Sequence, residues 1–282
     1  MRRSAQGLLA TAARISTPRR QVVAAVVRRE WLITRSYRFG LTFDLLFGIM
    51  NLLLYFYISR IIESGRAVDL QGARSYFEFA AVGVAFGVVF QAASGALARR
   101  VRDEQLTGTL EALVAQPIRA KEIALGLVGF PFLFAMVRVA FYLLVAVVLL
   151  GLDVSRADPV GFALVLIAAA LALTGFGIAL GAVVLVTKRA AALVALAAFA
   201  TSFLCGAYFP LSVLPGWLQD VVELVPIRFA FEGARSALFR GEGWSDDVVV
   251  LVLFSGFAFP LSLWLFGRAL ALTQARGSIS EY

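Results

Sequence analysis

Two places in this sequence hold charged residues where they could act on something other than their own chain. The first is RRVRDEQLTGTLEALVAQPIR, residues 99–119, where Arg99, Arg100, Arg102, Asp103, Glu104 and Glu111 crowd between two apolar runs. The second is Arg138, deep in an apolar run, with Asp44 near the start of another. The chemistry open to these groups is charge pairing and docking. The chain has no His and a single Cys, Cys205, so intrachain disulfides, imidazole acid–base catalysis and Cys/His metal clusters are all excluded. Cys205 sits in an apolar run and reads as a small packing residue. There is no G-x-x-x-x-G-K-[ST] phosphate loop, so any ATP chemistry of that kind would belong to another polypeptide. No covalent catalysis is expected, and the chain does not read as an enzyme by itself.

The elements that must position these charges are set by composition. Of the 282 residues, 61% are hydrophobic and only 16% charged, against about a quarter charged in soluble domains. Mean hydropathy is +0.86. A hydrocarbon core about 30 Å thick needs roughly 20 apolar helical residues. Six stretches reach that length: 40–62, 77–98, 124–152, 160–187, 190–209 and 248–267. They are apolar all round without strict alternation, which predicts helices rather than barrel strands. The third and fourth exceed the need and should tilt or extend outward. The predicted fold class is an all-α polytopic membrane protein with one transmembrane domain over residues 1–282. It divides into a cytoplasmic arm (1–39), a six-span bundle (40–267) and a tail (268–282).

Lys and Arg counts in alternating loops predict orientation. With the N-terminus inside, the inner set (residues 1–39, 99–123, Lys188, Arg189, Arg268 and Arg276) holds eighteen basic residues and the outer set seven. Both termini are therefore expected in the cytoplasm. The basic N-terminal arm is read as retained rather than as a cleaved signal, because arginines recur through Arg38 before the first long apolar span. Within it, Val22, Val23, Val26, Val27 and Trp31 recur at helical spacing among arginines. That pattern predicts an amphipathic helix in the headgroup layer, the alternative being a basic tail that merely sets topology.

Two loops have structure of their own. In 99–123, Thr109 can cap a helix with Glu111 in its first turn, and Leu110, Leu113 and Val114 form an i, i+3, i+4 apolar knob. Pro117 ends the run. This predicts a two-turn cytoplasmic helix whose apolar side needs a partner, either this protein's own surface or another subunit. In the extracytoplasmic segment 210–247, Trp217, Val221, Leu224 and Val225 share one helical face, and Pro226 separates this half from a second that contains Glu232 and Arg235. Each half is too short to span and too apolar to float, which predicts two re-entrant or interfacial helices.

At this point the chain resembles a known family. Glu104, Gly108, Thr109, Leu110, Glu111, Leu113 and Pro117 match E-x-x-x-G-T-L-E-x-L-x-x-x-P, which resembles the signature loop of ABC-2-type permeases, the membrane subunits of ATP-binding-cassette exporters. Phe209-Pro210-Leu211, Leu214-Pro215, Trp217-Leu218, Pro226, Phe229, Glu232, Gly233 and Arg235 resemble that family's stretch before the last span. The resemblance implies that 99–123 carries a coupling helix, with Glu104, Gly108, Thr109, Leu110, Glu111, Leu113, Val114 and Pro117 serving its contact with a separate ATPase subunit. It implies that Pro210, Pro215, Trp217, Pro226, Glu232 and Arg235 belong to an outer, re-entrant gate. It further implies a second permease subunit, as homodimer or paralogous heterodimer. ATP and Mg would lie on the ATPase, with no cofactor on this chain and no nucleic-acid partner. The implied setting is the bacterial cytoplasmic membrane, and the implied cargo a hydrophobic or amphipathic drug, antibiotic or lipid, or alternatively a lipid-linked polysaccharide or glycolipid.

Arg138 has three placements open to it. A central Arg costs at least about 3 kcal/mol on insertion scales, so it must find a partner, a cavity or shallower water. It could pair with Asp44, hold an anionic headgroup or acid on a transport path, or sit nearer the interface because its helix is long. Gly83-x-x-x-Gly87 and Gly177-x-x-x-Gly181 allow close helix approach and read as packing. Two other functions compete with the permease. An ion-gradient-driven transporter would need deep intramembrane acids, and here only Arg138 is deep. A membrane scaffold subunit could also use the apolar knob.

Overall fold

The computed structural model describes residues 19–36, 38–62, 70–106, 108, 119–187 and 191–275. All the long elements there are helices: α1 (Arg19–Ser36), α2 (Arg38–Ile62), α3 (Tyr76–Leu106), α4 (Ala120–Leu150), α5 (Pro159–Thr187), α6 (Ala191–Ser202), α7 (Gly216–Glu223), α8 (Arg228–Arg235) and α9 (Ser245–Ala275). Wider π turns at Phe203–Ala207 and Ser236–Arg240 continue α6 and α8. Among the described residues, four helices are long and apolar enough to cross a membrane: Phe39–Ile62, Ala120–Leu150, Pro159–Thr187 and Ser245–Ala275. A shorter apolar length lies in Tyr76–Phe90. The chain is an all-α polytopic membrane protein.

The helix ends follow from local chemistry. α3 starts where Ser75 Oγ accepts the Glu78 N–H at 3.2 Å, while Glu78 accepts the Arg74 N–H at 2.6 Å, a capping box in all but one residue of register. α4 ends at Gly151 (φ +72°), where Leu152 N–H donates to the Ala146 carbonyl at 3.0 Å. α6 passes into its π turn and breaks at Cys205 and Gly206, the latter at φ +88°. The fifth apolar stretch is therefore interrupted before its expected end at 209.

The third stretch of helix corrects an expectation. A loop was expected from residue 99, yet α3 runs on through Leu106. Arg99, Arg100, Arg102, Glu104 and Gln105 are good helix formers, so the apolar run stops there but the helix does not. Likewise α9 continues to Ala275, past the expected start of the tail at 268.

α3 and α5 form the centre. α3 buries Phe79, Ala80, Ala81, Val82, Ala85, Phe86 and Phe90, and α5 buries Val165, Ala169, Ala172, Leu173 and Ile178. α5 lies chiefly against α9 and α3, and α3 also against α4. A second apolar cluster joins the far ends of α3, α4, α5 and α9 through Leu97, Val101, Leu127, Leu185 and Phe266. α2 is peripheral, with Phe43, Phe47, Met50 and Leu54 exposed at three- and four-residue spacing along its outer face.

α1 sits on α4. Val26 and Val27 fill the notches left by Gly126 and Gly129, and the Trp31 and Phe130 rings meet edge-on at 6.0 Å. The inward part of α1's apolar face is thus covered by protein, while Trp31 and Leu32 stay half exposed.

The paired glycines of α3 differ. A Cβ on Gly83 would lie 1.5 Å from the Ala207 carbonyl oxygen, whereas one on Gly87 would come no nearer than 3.9 Å to the Tyr208 hydroxyl. Gly83→Ala is therefore expected to destabilise by at least about 1–3 kcal/mol, since backbone must move. Gly87→Ala should stay within about 0.5 kcal/mol of the parent. Thermal unfolding of the two variants in detergent checks the contrast, and equal melting temperatures would contradict it.

Candidate functional site

Charged residues gather at two ends of the bundle. At one end lie α1, the start of α2 and the last turns of α3. Glu30 is the single acid among the first 39 residues and is fully buried. Its carboxylate lies 2.7 Å from Arg100 and 3.3 Å from Arg29. Arg29 also donates to Glu104, itself buried. Two carboxylates and two guanidiniums thus clasp α1 to the end of α3. Removing one partner of such a set strands a buried charge, which costs about 3–5 kcal/mol. Glu104 opens the signature loop. Next in that loop comes Gly108 at φ +71°. Thr109, Leu110, Glu111, Leu113, Val114 and Pro117 lie outside the described residues, so the coupling-helix reading stays an expectation. α4 then begins at Ala120, with Glu122 accepting the Arg119 N–H at 3.1 Å.

Beside the clasp is a cavity of about 500 Å³. Arg99, Arg100, Arg138, Asp44, Asp103 and Thr34 supply its polar lining, and Leu41, Val88, Phe130, Pro131, Phe134 and Ala135 its apolar one. Arg138 is mostly buried there. Its Nη1 is 2.6 Å from Asp44 Oδ2, and its Nη2 donates to the Tyr142 hydroxyl at 3.2 Å. Tyr142 in turn donates to the Asp44 carbonyl at 3.1 Å and fits its ring into the space left by Gly48. Asp44 is on the second turn of α2, about 9 Å from that helix's start. Of the three placements open to Arg138, the structure shows the pair with Asp44, set in the wall of the cavity.

At the opposite end, Pro210, Pro215 and Pro226 punctuate the chain. Pro215 caps α7 and Pro226 separates α7 from α8. The two short helices differ. α7 leaves Trp217, Val221 and Leu224 exposed, so its apolar face is turned outward. α8 buries Ala230, Phe231, Ala234 and Arg235 against α5, α9 and α3. Arg235 is fully buried. Its guanidinium donates to the carbonyls of Gly206 (2.6 Å), Ala207 (3.3 Å) and Phe79 (3.3 Å) and to the Gln71 side chain (3.0 Å), and lies 3.5 Å over the Phe79 ring. Glu232 lines a smaller cavity with Arg228, Glu223 and Gln219. Near it, Arg74 pairs with Asp153. Hydrogen bonds from Ser155 to Asp153, helped by Arg74 and Arg156, hold the Asp153 carboxyl below the usual carboxylate range.

Arg138 and Asp44 are therefore joined, whereas Glu104 and Arg235 lie at opposite ends. Sequence reading missed Glu30, Tyr142 and Gln71. Glu30 had a signal, as the one acid in a basic helix. Tyr142 had one too, at i+4 from Arg138. Gln71, at φ +58°, had none.

A family model for the ABC-2 type transporter membrane region matches residues 21–239. This chain belongs to the ABC-2 type transporter family. Comparison with curated proteins gives no match. Family membership makes the chain a permease subunit of an ABC transporter, with an ABC ATPase subunit as its partner. The matched span takes in both the clasp and the Arg235 end.

Arg235→Ala would leave the Gly206 and Ala207 carbonyls, in the broken end of α6, without their side-chain donor. At roughly 1–3 kcal/mol per buried unsatisfied group, the loss should be at least about 2 kcal/mol. Arg235→Lys should recover part of it. Thermal unfolding of the purified chain measures both, and an alanine variant that melts like the parent would refute this account.

Proposed function

We propose that this permease is the transmembrane half of an exporter that moves a hydrophobic or amphipathic molecule, a drug, antibiotic or lipid, out of a bacterial cell. ATP and Mg are bound and hydrolysed on the ATPase subunit. The α1 end faces the cytoplasm with both termini, in keeping with the excess of Lys and Arg on that side. Six segments cross the cytoplasmic membrane, α3 and the broken α6 joining the four long apolar helices. Two permeases, identical or paralogous, enclose the path.

The observation that carries this reading is the burial of Glu104 against Arg29. The first residue of the signature loop is tied to α1 and built into the last turns of α3. A loop displaced by an ATPase would therefore move α3 and α1 together, rather than flex alone. On this reading Leu110, Leu113 and Val114 enter a groove on the ATPase, Glu111 stands at the helix start, and Pro117 ends the docked turn. At the outer end, α7 and α8, punctuated by Pro210, Pro215 and Pro226, form the gate, with Trp217 on its exposed face, Glu232 beside it and Arg235 anchoring it.

The test is Glu111→Arg combined with Leu113→Asp in the complex with its ATPase. Affinity for the ATPase, or coupling of its hydrolysis to transport, should fall at least tenfold, the equivalent of about 1.4 kcal/mol. Undiminished co-purification with coupled hydrolysis would overturn the assignment.

A further inference from the structure

Two carboxyls meet in a half-dry seam at the Arg235 end of the bundle. Glu232 is half-buried where α8 packs on α9. The next residue, Gly233, lies so close to α9 that a Cβ there would come 2.9 Å from the Asp247 Cβ and 3.2 Å from its Oδ2. The missing side chain at 233 thus sets Asp247, also half-buried, beside Glu232, and the Glu232 charge bears on it. On its other side Glu232 lines the cavity of about 220 Å³ with Ser212, Gln219, Glu223 and Arg228. Ser212 and Glu223 are exposed, so this cavity gives surrounding water a path to Glu232.

Little cancels the two negative charges. Arg235, on the same helix as Glu232, spends its guanidinium on carbonyls and Gln71. Arg228 lies 4.7 Å from the centre of the Phe229 ring, with its Nε–H buried and unmet. Among the described residues, no ion pair joins Arg228 to either acid. Across the cavity, Glu223 of α7 adds a further negative charge, and Asp246 stands next to Asp247. From the other elements packed on α8, the Cys205 thiol stands in the broken end of α6, Glu78 of α3 is turned to the Arg74 N–H, and α5 has no ionisable residue. Burial pushes the Glu232 carboxyl above its ordinary value, with Arg228 and Arg235 opposing and Glu223 assisting.

We propose that Glu232 is a proton-operated latch on the outer gate, protonated while α8 lies against α9 and ionised once α8 moves away. As α8 closes, Glu232 takes its proton from outside water through the cavity, and as α8 opens it returns that proton by the same path. Acid outside therefore holds the gate shut. The latch rests on the reading of α7 and α8 as the gate of a permease, but the preference of Glu232 for a proton in the packed chain does not.

The first test is thermal unfolding of the purified full chain in detergent at about pH 5 and about pH 8, for the parent and Glu232→Gln. A raised carboxyl contributes stability that is full below its ordinary value of 4.5 and is lost as pH rises through the raised one. Between the two conditions the parent's melting temperature should fall by roughly 2–4 °C more than the variant's. An offset that is equal at both pH values marks a merely structural residue and overturns the proposal. Asp247→Asn removes the neighbouring charge, should also reduce the loss, and serves where Glu232→Gln fails to fold.

The second test uses the complex in proteoliposomes with the ATPase outside, so that the outer gate faces the lumen. With the outer medium held at one pH, an acid lumen should slow ATP hydrolysis at least about twofold, and Glu232→Gln should abolish that dependence. Hydrolysis indifferent to lumen pH overturns the latch, whatever the melting curves show. Failure of the permease reading is seen separately, as an ATPase that stays bound and coupled after Glu111→Arg with Leu113→Asp.

Discussion

A guanidinium shut away from water must have its donors met by protein, and at Arg235 that demand organises one whole end of the bundle. Its acceptors come from three separate places: Phe79 on α3, Gly206 and Ala207 in the broken end of α6, and Gln71 before α3. The Gly206 and Ala207 carbonyls could not be reached if α6 continued as a regular helix, because they would then be turned along its own axis toward its own amides. The break at Cys205 and Gly206 frees those carbonyls, and Arg235 takes them. Gly83 completes the arrangement by letting the Ala207 carbonyl come against α3 where any side chain would stand. One buried charge thus accounts for a positive-φ glycine, a helix interruption and a close helix contact that would otherwise be three unrelated oddities.

The other end follows the same logic with carboxylates. Glu30 and Glu104 are buried, and each is matched by an arginine from the facing helix. The apolar part of the α1 interface is small, two valines in two glycine notches and an edge-on ring pair. Such a surface could slide by a turn at little cost. The ion pairs fix its register, because a slip of α1 would leave two acids unmatched in a dry place. Here buried charge contributes position more than stability.

The apolar stretches were legible because a bilayer demands a crude, redundant signal: some twenty residues with almost no charge. Where helices stop was less legible. The apolar run of α3 ends at Ala98, but Arg100 and Glu104 face α1 and hold the helix for two further turns. The headgroup reading of α1 saw amphipathicity correctly, yet nothing in its own sequence says that Gly126 and Gly129, a hundred residues on, cut notches for its valines. The same blindness applies to Gly83 and Gly87, which share a spacing while only one meets backbone. Pattern reports which face is apolar. It carries no information on what covers that face, and the exposed α2 and α7 stripes have the same appearance in sequence as the covered ones. At the candidate sites, Arg138 and Asp44 could be nominated as partners since each was the rare charge in an apolar run. Arg235 was noticed only for its motif, and its donors' partners are mostly main-chain carbonyls, which have no residue type to read.

α3 is the element on which both ends converge. Arg235 grips it at Phe79, and Glu30 and Arg29 grip it at Arg100 and Glu104. From Phe77 to Phe90 it is buried on nearly every side among small and aromatic residues, so this half cannot bend into free space. A helix of 31 residues is about 46 Å long and far stiffer along its axis than any loop. A push on its charged end therefore has two outlets. It can break the Arg235 bonds at the far end, at a cost of several kcal/mol, or it can carry α8 and the broken end of α6 with it. The second is cheaper whenever the neighbouring α5 and α9 can shift together. On the proposed reading, with the driving force arriving at one face and the gate at the other, a rigid part clamped at both ends is needed, and among the described residues α3 is clamped at both.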